Sequence, residues 1–265
     1  MVRRANALAG EPPALPKIED VTLLGRVPAR QYWPSTTKDL PIVMYFHGGR
    51  FFSGDLESHD TLCRVVALAT GCRVVAVDYR LAPEHRFPAA LEDTRIAVDW
   101  ASQQRVPFGL AGDSAGANLA AVAAQSHREP DLRCQVLIYP MIDATCSSTA
   151  FTTYADGFGP AALDMKRGWA EYLPQGTDPC DPLVSPIYAG DVARLAPAFV
   201  VTAEFDTLRD EGEAYARKLI EAGNLVQVRR YLGAIHGFFV MPGTLRLGRE
   251  VLHDVVAFLK LHLGV

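Results

Sequence analysis

Apolar and mixed stretches alternate along this chain, and their spacing predicts a repeating order of strands and helices. Strands are predicted at 41–46, 72–78, 108–111, 135–139, 198–203 and 226–232, and the run at 41–46 is continuously apolar, as is typical of a strand buried on both faces of a parallel sheet. Helical segments are predicted between and after them at 62–70, 89–103, 117–125, 214–222 and 245–263. This order predicts an α/β fold with a mostly parallel central sheet flanked by helices.

Two regions depart from this order. Residues 1–20 are rich in Pro and Ala and are expected to form a short N-terminal arm or a reduced cap, before two antiparallel edge strands within 21–33. Residues 141–196 contain one recognisable helix, at about 161–172. An insertion of this length between core strands predicts a cap or lid over the carboxyl ends of the strands. We therefore expect a single domain over residues 1–265, with a cap insertion between core strands.

The stretch Gly112-Asp-Ser-Ala-Gly116 joins an apolar run to a helix rich in small residues. A G-x-S-x-G sequence between a strand and a helix is the pattern of a nucleophile elbow. The serine of an elbow has a strained backbone, so the residues two positions away must be nearly free of side chain. Ser114 is therefore the candidate nucleophile, and Ala115 the candidate donor of an N–H to an oxyanion. A glycine-rich turn that merely packs tightly remains the alternative.

A second pair of glycines follows the strand at 41–46. Gly48 and Gly49 come directly after His47, where missing side chains let backbone N–H groups approach a ligand closely. A plain turn at the end of a strand is the alternative interpretation. Together with the elbow, the pair predicts an oxyanion hole formed by the N–H groups of Gly48, Gly49 and Ala115.

The candidate acid follows the strand at 198–203. Glu204 still belongs to the strand pattern, and Asp210 forms with Glu213 the Asp-x-x-Glu pattern of a capping box for the next helix. Asp206 has no such local role, so we predict that it is the catalytic acid.

The candidate base is His236, directly after the last predicted strand. The chain order Ser114, Asp206, His236 is that of α/β-hydrolases and differs from the chymotrypsin and subtilisin orders. Each of the three residues follows a core strand, so the sheet should bring them to one edge. They would act as nucleophile, acid and base of a Ser-His-Asp triad.

Five motifs occur in a fixed order: His47-Gly-Gly, Tyr79-Arg-Leu-Ala-Pro-Glu, Gly112-Asp-Ser-Ala-Gly116, Ala203-Glu-Phe-Asp-Thr-Leu-Arg-Asp-Glu-Gly212 and Ile235-His-Gly-Phe238. In these motifs the chain resembles the hormone-sensitive-lipase-like family of carboxylesterases, from about residue 20 to the C-terminus. The resemblance implies an α/β-hydrolase fold and ester hydrolysis through Ser114, His236 and Asp206. It also implies a small-molecule ester substrate and no metal or organic cofactor.

Arg50 departs from the family pattern, which has a third glycine at this position. Its N–H can still serve the oxyanion hole, provided that the backbone there does not need the positive φ that glycine takes freely. Its guanidinium would lie at the rim of the pocket and cannot stay unpaired in an apolar channel. We expect it to pair with a carboxylate, Asp55 being one candidate, or to reach solvent. With the short N-terminal segment, this predicts a shallow pocket for short acyl chains.

Composition and charge exclude several classes of partner. The net charge of −4 favours neither nucleic acid nor an anionic membrane surface. No signal peptide and no apolar run long enough for a membrane span are visible. The five cysteines contain no C-x-x-C pair, which favours free thiols in a reducing compartment and predicts a cytoplasmic protein. The sequence does not determine the oligomeric state, and a homodimer stays open.

Two other functions remain open from the sequence. An aryl-formamidase or another amide hydrolase would use the same serine and glycine motifs, although Tyr79-Arg-Leu-Ala-Pro-Glu84 favours an esterase. A non-catalytic ligand receptor on this fold can lose its histidine without harm. Ser114, Asp206 and His236 are all present here, which argues for an enzyme.

Overall fold

The computed structural model describes residues 7–265, in which one sheet contains eight strands in the order β1-β2-β4-β3-β5-β6-β7-β8. The strands are β1 (Lys17–Leu23), β2 (Val27–Trp33), β3 (Ile42–Phe46), β4 (Arg73–Val77), β5 (Phe108–Asp113), β6 (Leu132–Ile138), β7 (Ala198–Phe205) and β8 (Val226–Ile235). β2 pairs antiparallel with β1 and with β4, and the other neighbours are parallel. The prediction of a mostly parallel sheet is confirmed.

Helices cover both faces of this sheet. They are α1 (Asp60–Thr70), α2 (Ala89–Gln103), α3 (Ala115–Ser126), α4 (Thr149–Thr153), α5 (Ala162–Tyr172), α6 (Arg209–Glu221) and α7 (Arg246–Leu263). Alternate side chains of β3 enter two cores: Ile42, Met44 and Phe46 pack with α2, α3 and α6, and Val43 and Tyr45 pack with α1 and α7. Because β3 is buried on both faces, its sequence is a continuous apolar run. Among the helices that the structure describes, none combines the length and apolar character needed to cross a membrane.

Some boundaries differ from the predicted ones. β1 begins at Lys17, inside the segment predicted to be an arm, because it pairs in register with β2 from Lys17 opposite Trp33 to Leu23 opposite Val27. β8 continues to Ile235, so the next residue in the chain is the candidate base. Pairing with the neighbouring strand thus extends both elements beyond their apolar patterns.

The insertion at 141–196, called the cap segment below, separates β6 from β7 and contains α4 and α5. α5 lies against the loop that follows β3. The Tyr172 ring stacks on Phe51 with centroids 3.9 Å apart, and Trp169 contacts the same ring at 5.3 Å. A Cβ at Gly168 would collide with the Arg50 side chain and carbonyl, so this glycine lets the helix approach closely. The cap segment therefore packs beside the carboxyl ends of the strands.

Candidate active site

Ser114 lies in the sharp turn between β5 and α3. Its backbone has φ 55° and ψ −117°, a left-handed conformation that non-glycine residues rarely adopt. A Cβ at Gly116 would fall on the carbonyl of Phe46, and one at Gly112 would fall on the backbone of Gly116. The two glycines of the motif are needed because the turn presses against β3 and against itself.

The Ser114 side chain lines a cavity of about 390 Å³ beside His236. Its Oγ is buried and has no hydrogen-bond partner within residues 7–265. The apolar part of the wall comes from the end of β8, the chain after it and the cap segment, and includes Pro160, Met165, Ile235, Val240 and Met241. The same cavity is therefore lined by a serine hydroxyl with no partner within residues 7–265 and by an imidazole.

His236 is oriented by Asp206. Its Nδ1 lies 2.8 Å from Asp206 Oδ2, while Asp206 Oδ1 accepts the Leu208 N–H at 2.9 Å. The Tyr139 ring packs against the imidazole with centroids 4.5 Å apart. A neutral imidazole that donates from Nδ1 to a carboxylate has an unprotonated Nε2, the form that can accept a proton.

The other two candidate acids are engaged elsewhere. Glu204 accepts the Gly233 N–H at 2.7 Å, and Asp210 accepts the Ala150 N–H at 2.8 Å in the cap segment. The predicted capping box between Asp210 and Glu213 is wrong. α6 begins at Arg209, so its N-cap is Leu208, which makes no side-chain cap, and Asp210 already lies inside the helix. Of the three acids, Asp206 is the one that contacts the histidine.

Residues 47–53, called the oxyanion loop below, follow β3 and form one wall of the cavity. The N–H of Gly48 is donated to Asp113 Oδ1 at 2.8 Å, so this predicted oxyanion donor is already engaged. The N–H groups of Gly49 and Arg50 donate to no acceptor within residues 7–265. Ala115 is the first residue of α3, where N–H groups have no acceptor inside the helix. Of the predicted oxyanion donors and Arg50, the N–H groups of Gly49, Arg50 and Ala115 have no acceptor within residues 7–265.

Arg50 has a left-handed backbone, at φ 55°, so the expected condition that this position needs no positive φ is not met. Its guanidinium lies 3.8 Å from Asp164 of α5 and 5.0 Å from the Phe52 ring centroid. Within residues 7–265, Arg50 makes no ion pair with Asp55, whose Oδ1 accepts the N–H of Ser58 at 2.7 Å. Burial lowers the pKa of the Arg50 guanidinium. Arg50 and its partner Asp164 both line the cavity.

His47 begins the oxyanion loop and is buried. Its ring stacks on Tyr79 with centroids 4.4 Å apart, and Nδ1 lies 2.9 Å from the Gly48 carbonyl oxygen. Burial and the neighbouring His59 lower the pKa of the His47 imidazole to about 4. An unfolded chain exposes a histidine with a pKa of about 6.5. His47 therefore takes up a proton on unfolding between these two pH values.

This difference predicts acid sensitivity of the fold. The free energy of unfolding should be unaffected by His47 above about pH 6.5 and should fall as the pH drops from there towards 4. Between pH 7 and pH 4.5, wild type should lose about 2 kcal/mol more than His47→Asn in urea unfolding. His85→Asn, at an exposed histidine, should lose as much as wild type. Equal losses in wild type and His47→Asn would contradict the prediction.

Sequence reasoning missed several residues of this cavity. His59, Asp113, Asp164 and Met165 also line it. Asp113 lies inside the elbow motif, which was its only signal in the sequence. Asp164 and Met165 belong to the helix predicted at about 161–172, but the sequence did not predict where this helix packs. His59 precedes a predicted helix and carried no signal of its own.

Comparisons with known proteins give one family. A family model described as an alpha/beta hydrolase fold matches residues 43–240. The carboxylic ester hydrolase LipN of Mycobacterium tuberculosis is 39% identical over 91% of this chain and 68% of its own length, and the ethyl acetate hydrolase of Pseudomonas putida is 36% identical over 93% and 83%. The solved structure of a hyperthermophilic esterase from Pyrobaculum calidifontis has 40% identity and a TM-score of 0.91, covering 98% of this chain and 89% of that one.

Proposed function

Because this chain belongs to the hormone-sensitive-lipase-like family of α/β-hydrolase carboxylesterases and is a carboxylic ester hydrolase, we propose that it cleaves small esters through an acyl-enzyme on Ser114. The observation that carries the proposal is the Ser114 hydroxyl, buried without a partner on a strained turn in the same cavity as His236. The contact between His236 and Asp206 supports the triad.

The proposed reaction proceeds in two halves. The Ser114 Oγ attacks the ester carbonyl carbon while His236 Nε2 takes its proton, because a neutral hydroxyl is a weak nucleophile. The tetrahedral intermediate collapses, and the same proton passes to the leaving alcohol. A water then gives its proton to His236 and attacks the acyl-serine, which releases the carboxylic acid and restores the hydroxyl. Asp206 holds the imidazole and stabilises its protonated form.

The oxyanion of each tetrahedral intermediate needs fixed donors. We assign this role to the N–H groups of Gly49, Arg50 and Ala115, and leave out Gly48, whose N–H is donated to Asp113. Donors already in place stabilise developing charge without a cost of reorganisation during the reaction. The condition set for Arg50, that its backbone should not need a positive φ, was too strict: Arg50 adopts φ 55° here, and its N–H has no acceptor within residues 7–265.

We further propose that the substrates have short acyl chains. The cavity of about 390 Å³ lies near the lower end of ordinary ligand sites, and the ion pair of Arg50 and Asp164 forms part of its wall. A charged pair in the wall is a poor neighbour for a long alkyl chain, since burying it under hydrocarbon removes its water. A relative named for ethyl acetate hydrolysis fits this class of substrate.

A series of p-nitrophenyl esters of increasing acyl length tests both proposals. Wild-type kcat/KM should be highest at two to six carbons. Arg50→Gly should remove the guanidinium and relieve the positive φ, and so raise the ratio of kcat/KM for eight carbons over two carbons by about tenfold.

Arg167→Ala is the matched control for this experiment. The Arg167 guanidinium also lies over the Phe52 ring, 5.5 Å from its centroid, but Arg167 does not line the cavity. Its loss should therefore leave the ratio of kcat/KM for eight carbons over two carbons unchanged. A wild-type kcat/KM that climbs steadily to long chains would contradict the short-acyl proposal. A p-nitroanilide of matched acyl length should react far more slowly than the ester, and the reverse would favour an amide hydrolase.

A further inference from the structure

The carboxylate of Asp113 lies beneath the oxyanion loop and has no part in the reaction steps given above. Asp113 ends β5 directly before Ser114, and its side chain is buried. Its Oδ1 accepts the Gly48 N–H at 2.8 Å and the Tyr45 hydroxyl at 2.7 Å. A charge in such a place is stable only with close partners. These two hydrogen bonds join the end of β5 to β3, through Tyr45, and to the beginning of the oxyanion loop, through Gly48.

His59 flanks the same carboxylate. Its Nε2 lies 3.3 Å from Asp113 Oδ1, and its Nδ1 lies 2.9 Å from the Ser58 hydroxyl. Burial tends to raise the pKa of the Asp113 carboxyl, but His59, Tyr45 and the Gly48 N–H together hold that pKa below its usual range. Asp113 is therefore an anion in the folded protein at neutral pH, and it accepts the Gly48 N–H as a charged acceptor, which makes the stronger kind of hydrogen bond.

The backbone beyond Gly48 explains why such an anchor is needed. Gly49 has φ 140° and Arg50 has φ 55°, and neither N–H has an acceptor within residues 7–265. A backbone in these regions persists only where its surroundings hold it. Gly48 itself allows the anchor, because a Cβ there would fall on the Asp113 carboxylate.

We propose that Asp113 is a positioning residue for ester hydrolysis: by holding the Gly48 N–H, it keeps the N–H groups of Gly49 and Arg50 in place for the oxyanion. This inference rests on the function proposed above. Asp113 acts through Gly48 and does not touch the reacting atoms. The oxyanion exists only in the transition state and the intermediates, so a misplaced loop slows the chemical step and leaves substrate binding nearly unchanged.

The first test is Asp113→Ala, measured with p-nitrophenyl butyrate. Loss of one oxyanion donor in a serine hydrolase costs roughly 10²–10³ in kcat, so a displaced loop should lower kcat by about 100-fold. KM should change by less than about threefold, because the ester itself carries no oxyanion. A short-chain alkyl trifluoromethyl ketone, whose adduct with serine carries an oxyanion, should bind about 100-fold more weakly.

Two further variants separate positioning from simple loss of stability. Asp113→Asn keeps an oxygen that accepts from Gly48 and Tyr45, so kcat should stay within about tenfold of wild type. Asp93→Ala removes another buried aspartate, which accepts the Arg80 N–H at 2.8 Å and does not line the cavity. It should lower the thermal midpoint as Asp113→Ala does, with kcat unchanged.

The outcomes are distinct. An inactive wild type would overturn the proposed function itself. An active wild type with an unchanged kcat in folded Asp113→Ala would overturn the positioning role alone. Equal losses of kcat in Asp113→Ala and Asp93→Ala would also overturn it, because the effect would then follow stability. If Asp113→Ala does not fold, Asp113→Asn carries the test. A kcat more than about 100-fold below wild type, together with an unchanged affinity for the ketone, would contradict the positioning role, because both quantities depend on the oxyanion donors.

Discussion

Ser114→Ala is expected to reduce kcat for ester hydrolysis by about 10⁶, the loss measured when other hydrolases lose their nucleophilic serine. Without the Oγ no acyl-enzyme forms, and the remaining rate comes from the oxyanion donors and substrate binding alone. The fold should survive, because Ala tolerates the same backbone as Ser. The lost hydroxyl is buried without a partner, so the free energy of unfolding should be unchanged or higher by about 1 kcal/mol.

Ser185→Ala is the matched control, at a second buried serine. Its Oγ accepts the Ala144 N–H at 2.8 Å and donates to the Pro179 carbonyl at 2.6 Å, and it does not line the cavity. This variant should lose stability, by about 1 kcal/mol for each lost hydrogen bond, and keep its kcat. More than a few per cent of activity in Ser114→Ala, with contamination excluded, would overturn the assignment of the nucleophile.

Asp206→Asn is expected to lower kcat by about 10⁴, as the same change does in the serine protease triad. Asp206 Oδ1 accepts the Leu208 N–H, and an asparagine would keep its amide oxygen on that donor. Its NH₂ group would then face Nδ1 of His236, 2.8 Å away in wild type. An imidazole that accepts at Nδ1 carries its proton on Nε2, and so cannot take the proton of Ser114.

Asp210→Asn is the control for this substitution. Asp210 accepts the Ala150 N–H and pairs with Arg209, so its change should weaken the attachment of the cap segment to α6 and alter kcat only a few-fold. If Asp210→Asn shows the loss of about 10⁴ and Asp206→Asn does not, the choice of catalytic acid is wrong. Thermal midpoints of both variants show whether either loss reflects unfolding.

Much of the fold was predictable because local patterns carry it. The helix at 89–103 was predicted with both of its ends, and the strand at 42–46 within one residue. Buried parallel strands have to be apolar throughout, and a break into glycine marks their ends. The ends that failed depend on neighbours: the start of β1 is set by pairing with β2, and the start of α6 lies before the apolar part of that helix.

The candidate site divides in the same way. The elbow was readable because the strained turn at Ser114 demands glycines at fixed positions, and the order of nucleophile, acid and base follows from the order of the strands. The choice of Asp206 agrees with its contact to His236, yet part of the reason given for it, a capping box at Asp210, was wrong. Asp210 was free of His236 because it holds Ala150, a residue 60 positions away.

The sequence by itself determined the layers of the fold, the strained turn at Ser114 and the two strand ends that bring Asp206 and His236 to it. Only the tertiary structure decided which groups are free: Gly48 gives its N–H to Asp113, 65 positions away, and Arg50 pairs with Asp164 of the cap segment. The physical reason is the range of the forces. Periodicity and backbone strain act within a few residues, whereas a hydrogen bond depends on distances between atoms that only packing brings together.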